Sequence, residues 1–232
     1  MLKVAVLTRR GSGREVNQDR VVVGDAVVDS DQPNAVVFTA KFPTLVAVLD
    51  GLGGHPAGDI ASSLAAEVVA SESPGVETEQ DVIGLVEQAN RFLYDAMLVH
   101  KGLRDMGTTI AGAVVTADKV VVFHVGDSRV YLHTGGYLTQ VTVDDWDDGH
   151  ITQTLGGYSW FHPIEVHTIT LPLRDGRILA ATDGLFGLTD RARLSEAMNG
   201  PLEAVPDRLF KVAIESGNTD DFSVAVVETA SP

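Results

Sequence analysis

Short apolar runs broken by turn residues fill the first fifty positions. Residues 3–8 alternate weakly, residues 20–28 are valine-rich around a Gly24-Asp25 turn, and residues 44–49 form a β-type run that stops at Asp50. The period then changes. Ile60, Leu64 and Val68 recur every four residues, which predicts a helix over 60–70 with Asp59 as its N-cap. Val82, Val86, Ala89, Leu93 and Met97 predict a second helix over 81–100 capped by Asp81, with the Ser/Pro/Glu-rich stretch 71–80 as the connection. Strand-type runs return at 109–115, 119–125, 128–133 and 137–141. Ala117-Asp118, Gly126-Asp127 and Gly135-Gly136 separate them as turns, which reads as an antiparallel meander. Two more strands are expected at 164–171 and 177–181. Helices follow at 192–198 and 202–216, the latter closed by Gly217, and a last strand at 222–228. Strands in groups and helices in pairs predict an α+β fold: an α-β-β-α sandwich of two antiparallel sheets flanked by helix pairs.

Composition narrows the function. The 232 residues are 44% apolar, enough for a sizeable core, and no repeat or linker tract divides them, so one domain over 1–232 is expected. Lys and Arg number 17 against 32 Asp and Glu, a net charge of −15. That field repels phosphate backbones, so no nucleic-acid partner is expected. The absence of cysteine excludes disulfides, thiolate metal sites and Cys nucleophiles. The segment 1–7 is too short for a secretory signal and no apolar run is long enough for a membrane span. A cytoplasmic protein without membrane association is expected.

Four aspartates stand at the ends of apolar runs. Asp50 and Asp183 each precede a glycine, Asp220 lies just before the run 222–226, and Asp19 opens a valine-rich strand. Any single Asp-Gly is more simply a turn. Several carboxylates delivered to the rim of buried sheets repel one another unless a cation neutralises them. An all-carboxylate set points to hard ions, Mg²⁺ or Mn²⁺, rather than zinc. Two such ions about 3.5–4 Å apart would hold a bridging hydroxide and clamp a phosphoryl group. Residues 50–58 hold four glycines, which let the backbone approach a ligand and make the Gly51 carbonyl a candidate ligand, although no Walker A sequence closes the loop. Arg14 is a candidate phosphate clamp, or simply a solvated loop residue.

These residues resemble the metal-dependent Ser/Thr protein phosphatases of the protein phosphatase 2C-like family, in their bacterial form. The likeness rests on Arg14-Glu15-Val16-Asn17-Gln18-Asp19, Asp50-Gly51-Leu52-Gly53-Gly54-His55 with Gly58-Asp59-Ile60-Ala61-Ser62, and Gly107-Thr108-Thr109. It continues through Gly126-Asp127-Ser128-Arg129, residues 151–156, Thr182-Asp183-Gly184-Leu185 and Asp220-Asp221-Phe222-Ser223-Val224, in the family's order. The resemblance implies a two-metal centre at one end of a β-sandwich. Asp50, the Gly51 carbonyl, Asp183 and Asp220 would be direct ligands, and Asp19 would act mainly through metal-bound water. Asp127 with Asp183 would match a weaker third-ion site, and Arg14 would hold the substrate phosphate. The bridging hydroxide would attack phosphorus without a phosphoenzyme.

The departures are specific. Gln18 replaces Glu. Leu52 stands where animal enzymes carry a histidine, leaving His55 as the nearest candidate to protonate the leaving oxygen, with a structural loop role equally open. Asp221 replaces Asn and would add negative charge near the ions. Asp145 replaces a histidine, and the flap that bacterial relatives carry is reduced to about 146–150, which would leave the cleft open. Trp146 and Trp160 are expected to pack beneath that region, and Asp144-Asp145 and Asp147-Asp148 to form a solvated acidic loop. His124, His133 and His167 read as structural. The leading reading is a phosphoserine/phosphothreonine phosphatase, opposing a Ser/Thr kinase in signalling and acting on a phosphorylated protein. The alternatives are a catalytically weak or inactive regulatory module binding a kinase or phosphoprotein, and a small-molecule phosphomonoesterase.

Overall fold

A computed structural model of the chain describes residues 1–52 and 57–229. The chain runs β1 (Leu2–Arg9), β2 (Asp19–Val23), β3 (Ala26–Val28), β4 (Val36–Ala40), β5 (Thr44–Asp50), α1 (Gly58–Glu72) and α2 (Glu79–Val99). Next come β6 (Gly107–Thr108), β7 (Ile110–Val115), β8 (Lys119–Val125), β9 (Arg129–Thr134) and β10 (Tyr137–Gln140). The two-residue strands β11 (Trp146–Asp147), β12 (His150–Ile151) and β13 (Leu155–Gly156) precede β14 (His167–Pro172) and β15 (Gly176–Ala181). Then follow α3 (Asp183–Phe186), α4 (Arg191–Ala197), α5 (Val205–Glu215) and β16 (Phe222–Thr229).

Among the described residues, the long strands form two six-stranded antiparallel sheets, β10-β9-β15-β16-β1-β4 and β14-β8-β7-β5-β2-β3. Central strands are buried on both faces, so their period of two sorts apolar residues between two cores rather than between core and water. In β5, Val46 and Val48 enter the layer between the sheets, while Leu45, Ala47 and Leu49 pack with α1 and α2. In β1, Val4 and Val6 enter the same middle layer, and Ala5 and Leu7 pack with α4 and α5. Three apolar layers thus hold the expected α-β-β-α order. Each fully buried Val or Leu stabilises it by roughly 1.5–3 kcal/mol before chain entropy is counted.

Several local expectations are corrected. The buried face of α1 is Ala61, Ala65, Ala66 and Val69, whereas Ile60 is 38% exposed and Leu64 and Val68 are only partly buried. Small side chains let α1 lie close to α2 and β2, so the larger residues sit at its margins. Asp59 lies inside α1 rather than capping it, and Ala57 precedes the helix with a left-handed backbone. Thr78 caps α2, and Asp81 completes a capping box from the third helical position. The half-exposed edge strand β4, over the apolar run Val36-Val37-Phe38, adds a strand to those expected. The meander is interrupted, because β8 and β9 belong to different sheets and the chain crosses between them at Gly126-Asp127-Ser128. Gly126 makes that corner with φ +103, where a side chain would be strained. Trp146 and Trp160 are 52% and 70% exposed rather than packed beneath the shortened region, Trp146 on the small β11–β12 hairpin and Trp160 beside α2. No helix among the described residues is long and apolar enough to cross a membrane.

Candidate metal centre

At one end of the sandwich the middle layer turns from apolar to polar. Residues two apart share a face, so Thr8 continues the row of Val4 and Val6, Asp19 that of Val21 and Val23, and Asp50 that of Val46 and Val48. Thr182 likewise continues Ile178 and Ala180, and Ser223 continues Ala225 and Val227. Asp19 and Asp50 are direct cross-strand partners in the β2–β5 pair. Thr182 donates its hydroxyl to Asp19 Oδ2 at 2.8 Å, and accepts the Ser223 N–H at 3.0 Å. Asp183 opens α3 where β15 ends and comes close enough to Asp50 for its charge to raise that carboxyl.

No described cation neutralises this group directly. Asp19 is fully buried, and its Oδ1 has no hydrogen-bond partner among the described residues. Burial pushes the Asp19 carboxyl up to about 8, against the Thr182 hydrogen bond, which favours the charged form. Asp50 is raised by burial and then by the charges of Asp19 and Asp183. Asp183 is raised by burial and then by Asp220. Asp127, delivered to the same end by the sheet-crossing turn, is pushed up to about 6 by burial and then by Asp183. Carboxylates raised by burial and by one another, with no directly paired cation among the described residues and with oxygen donors only, fit hard divalent ions.

Arg14 closes one side. Its guanidinium grips Asp220 with two hydrogen bonds, Nε to Oδ1 at 2.6 Å and Nη2 to Oδ2 at 2.7 Å. This pairing holds Arg14 above its ordinary pKa, so the guanidinium stays charged. Asp220 and Arg14 therefore occupy each other here. Asp221, whose charge helps to raise Asp19, also accepts the N–H of Gly11 at 2.8 Å and of Gln18 at 2.9 Å. It ties the Arg14 loop to the start of β16. The Gln18 carbonyl accepts from Gly51 N–H at 3.1 Å and the Ser62 hydroxyl at 2.6 Å, fixing the glycine turn to α1. A Cβ on Gly51 would lie 2.3 Å from the Gly58 carbonyl oxygen, so this close approach requires glycine. His55 lies outside the described residues.

Sequence reasoning gave no role to Thr182 or Ser223, though a polar residue in register with a buried apolar row was the available signal. It also misread Asp144 and Asp145. Asp144 accepts from Arg129 Nη2 at 2.6 Å and Nε at 3.0 Å, and Asp145 accepts the Gly126 N–H at 2.8 Å. Neither is a solvated loop residue.

A family model described as protein phosphatase 2C matches residues 16–213. The chain belongs to the protein phosphatase 2C family. It is 28% identical to the serine/threonine protein phosphatase PstP of Mycobacterium tuberculosis over 252 aligned positions, covering 98% of this chain and 45% of PstP. It therefore spans just under half the length of that relative. The serine/threonine phosphatase stp of Listeria innocua is 27% identical, with 85% of this chain and 90% of that protein covered. A crystal structure of PstP superposes with a TM-score of 0.82 at 25% identity, covering 99% of this chain and 100% of that one. A second, of the PstP catalytic domain in complex with two manganese ions, gives 0.81 at 26% identity, covering 99% of each chain. The sandwich is thus the protein phosphatase 2C fold, with the carboxylate cluster at one end.

Proposed function

We propose that this chain is a metal-dependent phosphoprotein phosphatase that hydrolyses phosphoserine and phosphothreonine and opposes a Ser/Thr kinase in a cytoplasmic signalling circuit. The carrying observation is the convergence of Asp19, fully buried with one oxygen unpaired, with the partly buried Asp50 and Asp183, beside an arginine fork. The manganese complex of PstP and the named phosphatase relatives support the same reading. Residues 1–232 are read as one catalytic unit with the flap reduced to 146–150. The PstP alignment, at 252 positions, is longer than this 232-residue chain, which fits residues missing here.

Asp50, the Gly51 carbonyl, Asp183 and Asp220 would hold two Mn²⁺ or Mg²⁺ ions, with Asp19 behind them and Asp127 serving a weaker third. When bound, such ions supply the positive charge the carboxylates lack and a water acidic enough to attack phosphorus near neutral pH. The remaining work falls to the chain. Thr182 orients Asp19 through one oxygen and leaves the other without a hydrogen-bond partner among the described residues. Arg14 cannot grip Asp220 and a phosphate with the same two N–H groups, so release of Asp220 frees the fork for two phosphate oxygens. Asp221 keeps that loop in place meanwhile. The leaving serine or threonine oxygen needs a proton, and His55 is assigned to give it.

The deciding experiment follows phosphate release from a phosphothreonine peptide by chelator-stripped protein, with Mn²⁺, Mg²⁺ or buffer alone, beside Asp183→Asn. Activity that requires the added ion and vanishes in the variant carries the proposal. Equal, negligible turnover by both, with Mn²⁺ binding intact in the wild type, rejects it in favour of a regulatory module.

A further inference from the structure

A second group of potential ligands lies outside the carboxylate cluster. His124 on β8 and His167 on β14 are direct cross-strand partners. Their side chains therefore leave the sheet on one face, and the rings stack with centroids 4.8 Å apart and planes 26° apart. Asp145 reaches the pair from the connection after β10, with Oδ1 2.9 Å from His167 Nε2. One donor atom from each of the three residues lies within 4.8 Å of the others. A cavity of about 300 Å³ opens against them.

The surroundings fix each group. The Val143 carbonyl lies 2.7 Å from His124 Nε2, and the Gly126 N–H holds Asp145 Oδ2 at 2.8 Å. The Gln153 carboxamide nitrogen lies 3.4 Å from His167 Nε2, the same nitrogen that faces Asp145, so an ion there would take its place. The Val143 and Gly126 contacts are outer hydrogen bonds of the kind that orients histidine and carboxylate ligands in metal sites. Burial lowers the His124 pKa, which keeps its ring neutral and able to ligate. A lone His–Asp pair would explain His167 and Asp145. It gives no reason for a second, buried imidazole stacked on the first within reach of the same carboxylate.

We propose that His124, His167 and Asp145 form a separate binding site for one zinc-class divalent ion, distinct in place and in ion preference from the carboxylate centre. Two nitrogens and one oxygen suit Zn²⁺ or Co²⁺, whereas the oxygen-only centre suits Mg²⁺ and Mn²⁺. Three protein ligands leave a position for water on the cavity side. Binding displaces the proton held between His167 and Asp145. Because Asp145 also holds Gly126, the ion would brace the corner that carries Asp127 from one sheet to the other. The inference does not rest on the phosphatase reading.

The test uses the full chain, stripped with chelator and then held in excess Mg²⁺ to occupy the oxygen site. Co²⁺ is titrated and followed by its visible ligand-field bands, and Zn²⁺ binding is measured by calorimetry. One equivalent is expected, with bands of a low-coordinate nitrogen-containing site and a rise in melting temperature. His167→Gln, at a part-exposed ring, should weaken binding by more than the roughly 10- to 100-fold typical of losing an outer-sphere partner. His124→Gln should do the same, and Asp183→Asn should leave the bands in place. Bands that survive both histidine changes, bands that vanish in Asp183→Asn, or no binding under excess Mg²⁺ would each overturn the proposal.

Discussion

Two neighbouring sets of aspartates receive opposite treatment from the same chain. Asp19, Asp50 and Asp183 face one another at the end of the sandwich, and one oxygen of Asp19 meets no donor among the described residues. Around the sheet-crossing turn, Asp144 takes the Arg129 fork and the Gln140 amide, while Asp145 takes a backbone N–H and a histidine. The residue type and the position at or near the end of a strand are alike in both. What differs is the supply of donors. A carboxylate that its own chain satisfies serves the fold, and one left bare in a buried row needs charge from outside.

The sharpest way to break this comparison is to remove one bare carboxylate. Asp183→Asn is expected to cut Mn²⁺-dependent phosphopeptide hydrolysis by on the order of 10²–10³, as loss of a charge-stabilising group does. The same variant, unfolded in urea without divalent ions, should be no less stable than wild type, because a repulsive charge has gone. A marked loss of ion-free stability would mean that Asp183 serves the fold after all.

On the satisfied side, Arg129→Ala should destabilise by about 2–3 kcal/mol, short of the roughly 3–5 kcal/mol of a fully buried pair, because both partners keep some exposure. Loss of the guanidinium stacked 3.9 Å over the Phe186 ring adds to the effect. Chemical denaturation measures it, and a change below about 0.5 kcal/mol would place Arg129 with ordinary surface residues.

A smaller, graded effect is expected with pH. Asp19 titrates near 8 in the folded chain against an ordinary value of 3.8, so between those limits the native state holds a proton that the unfolded state has released. Stability of chelator-treated protein should therefore fall as pH rises from about 4 towards 8, and Asp127 adds to the slope up to about 6. Melting curves at pH 6 and 8 test the sign, and saturating Mn²⁺ should remove the slope. The least effect is expected at the exposed helical pair Glu87–Arg91, where Glu87→Gln should change stability by about 0.3–0.5 kcal/mol in the same denaturation assay.

Much of this was legible from local pattern, because strand runs, turns and the α2 stripe are written in neighbouring residues. The α1 stripe misled because spacing finds the largest apolar residues, whereas close packing selected Ala61, Ala65 and Ala66. The sheet change at Gly126 could not be read, since a tight turn looks the same whether its strands pair with each other or with distant ones. The aspartates that converge were recognisable as strand-end acids and by their motifs. The Arg14–Asp220 grip joins residues 206 positions apart, and the Arg129–Asp144 and His167–Asp145 contacts depend on the crossing, so none carries a local signature.

The cross-strand pairing of Asp19 with Asp50 also limits how chain length can vary. A deletion of one residue inside β2 would turn its aspartate from the inner layer toward the helices, because side chains alternate along a strand. The connection between β3 and β4, residues 29–35, carries no such restriction, since lengthening a loop costs little more than closure entropy. Insertions there should be tolerated, while single-residue length changes within β2 or β5 should abolish ion binding even where the chain still folds.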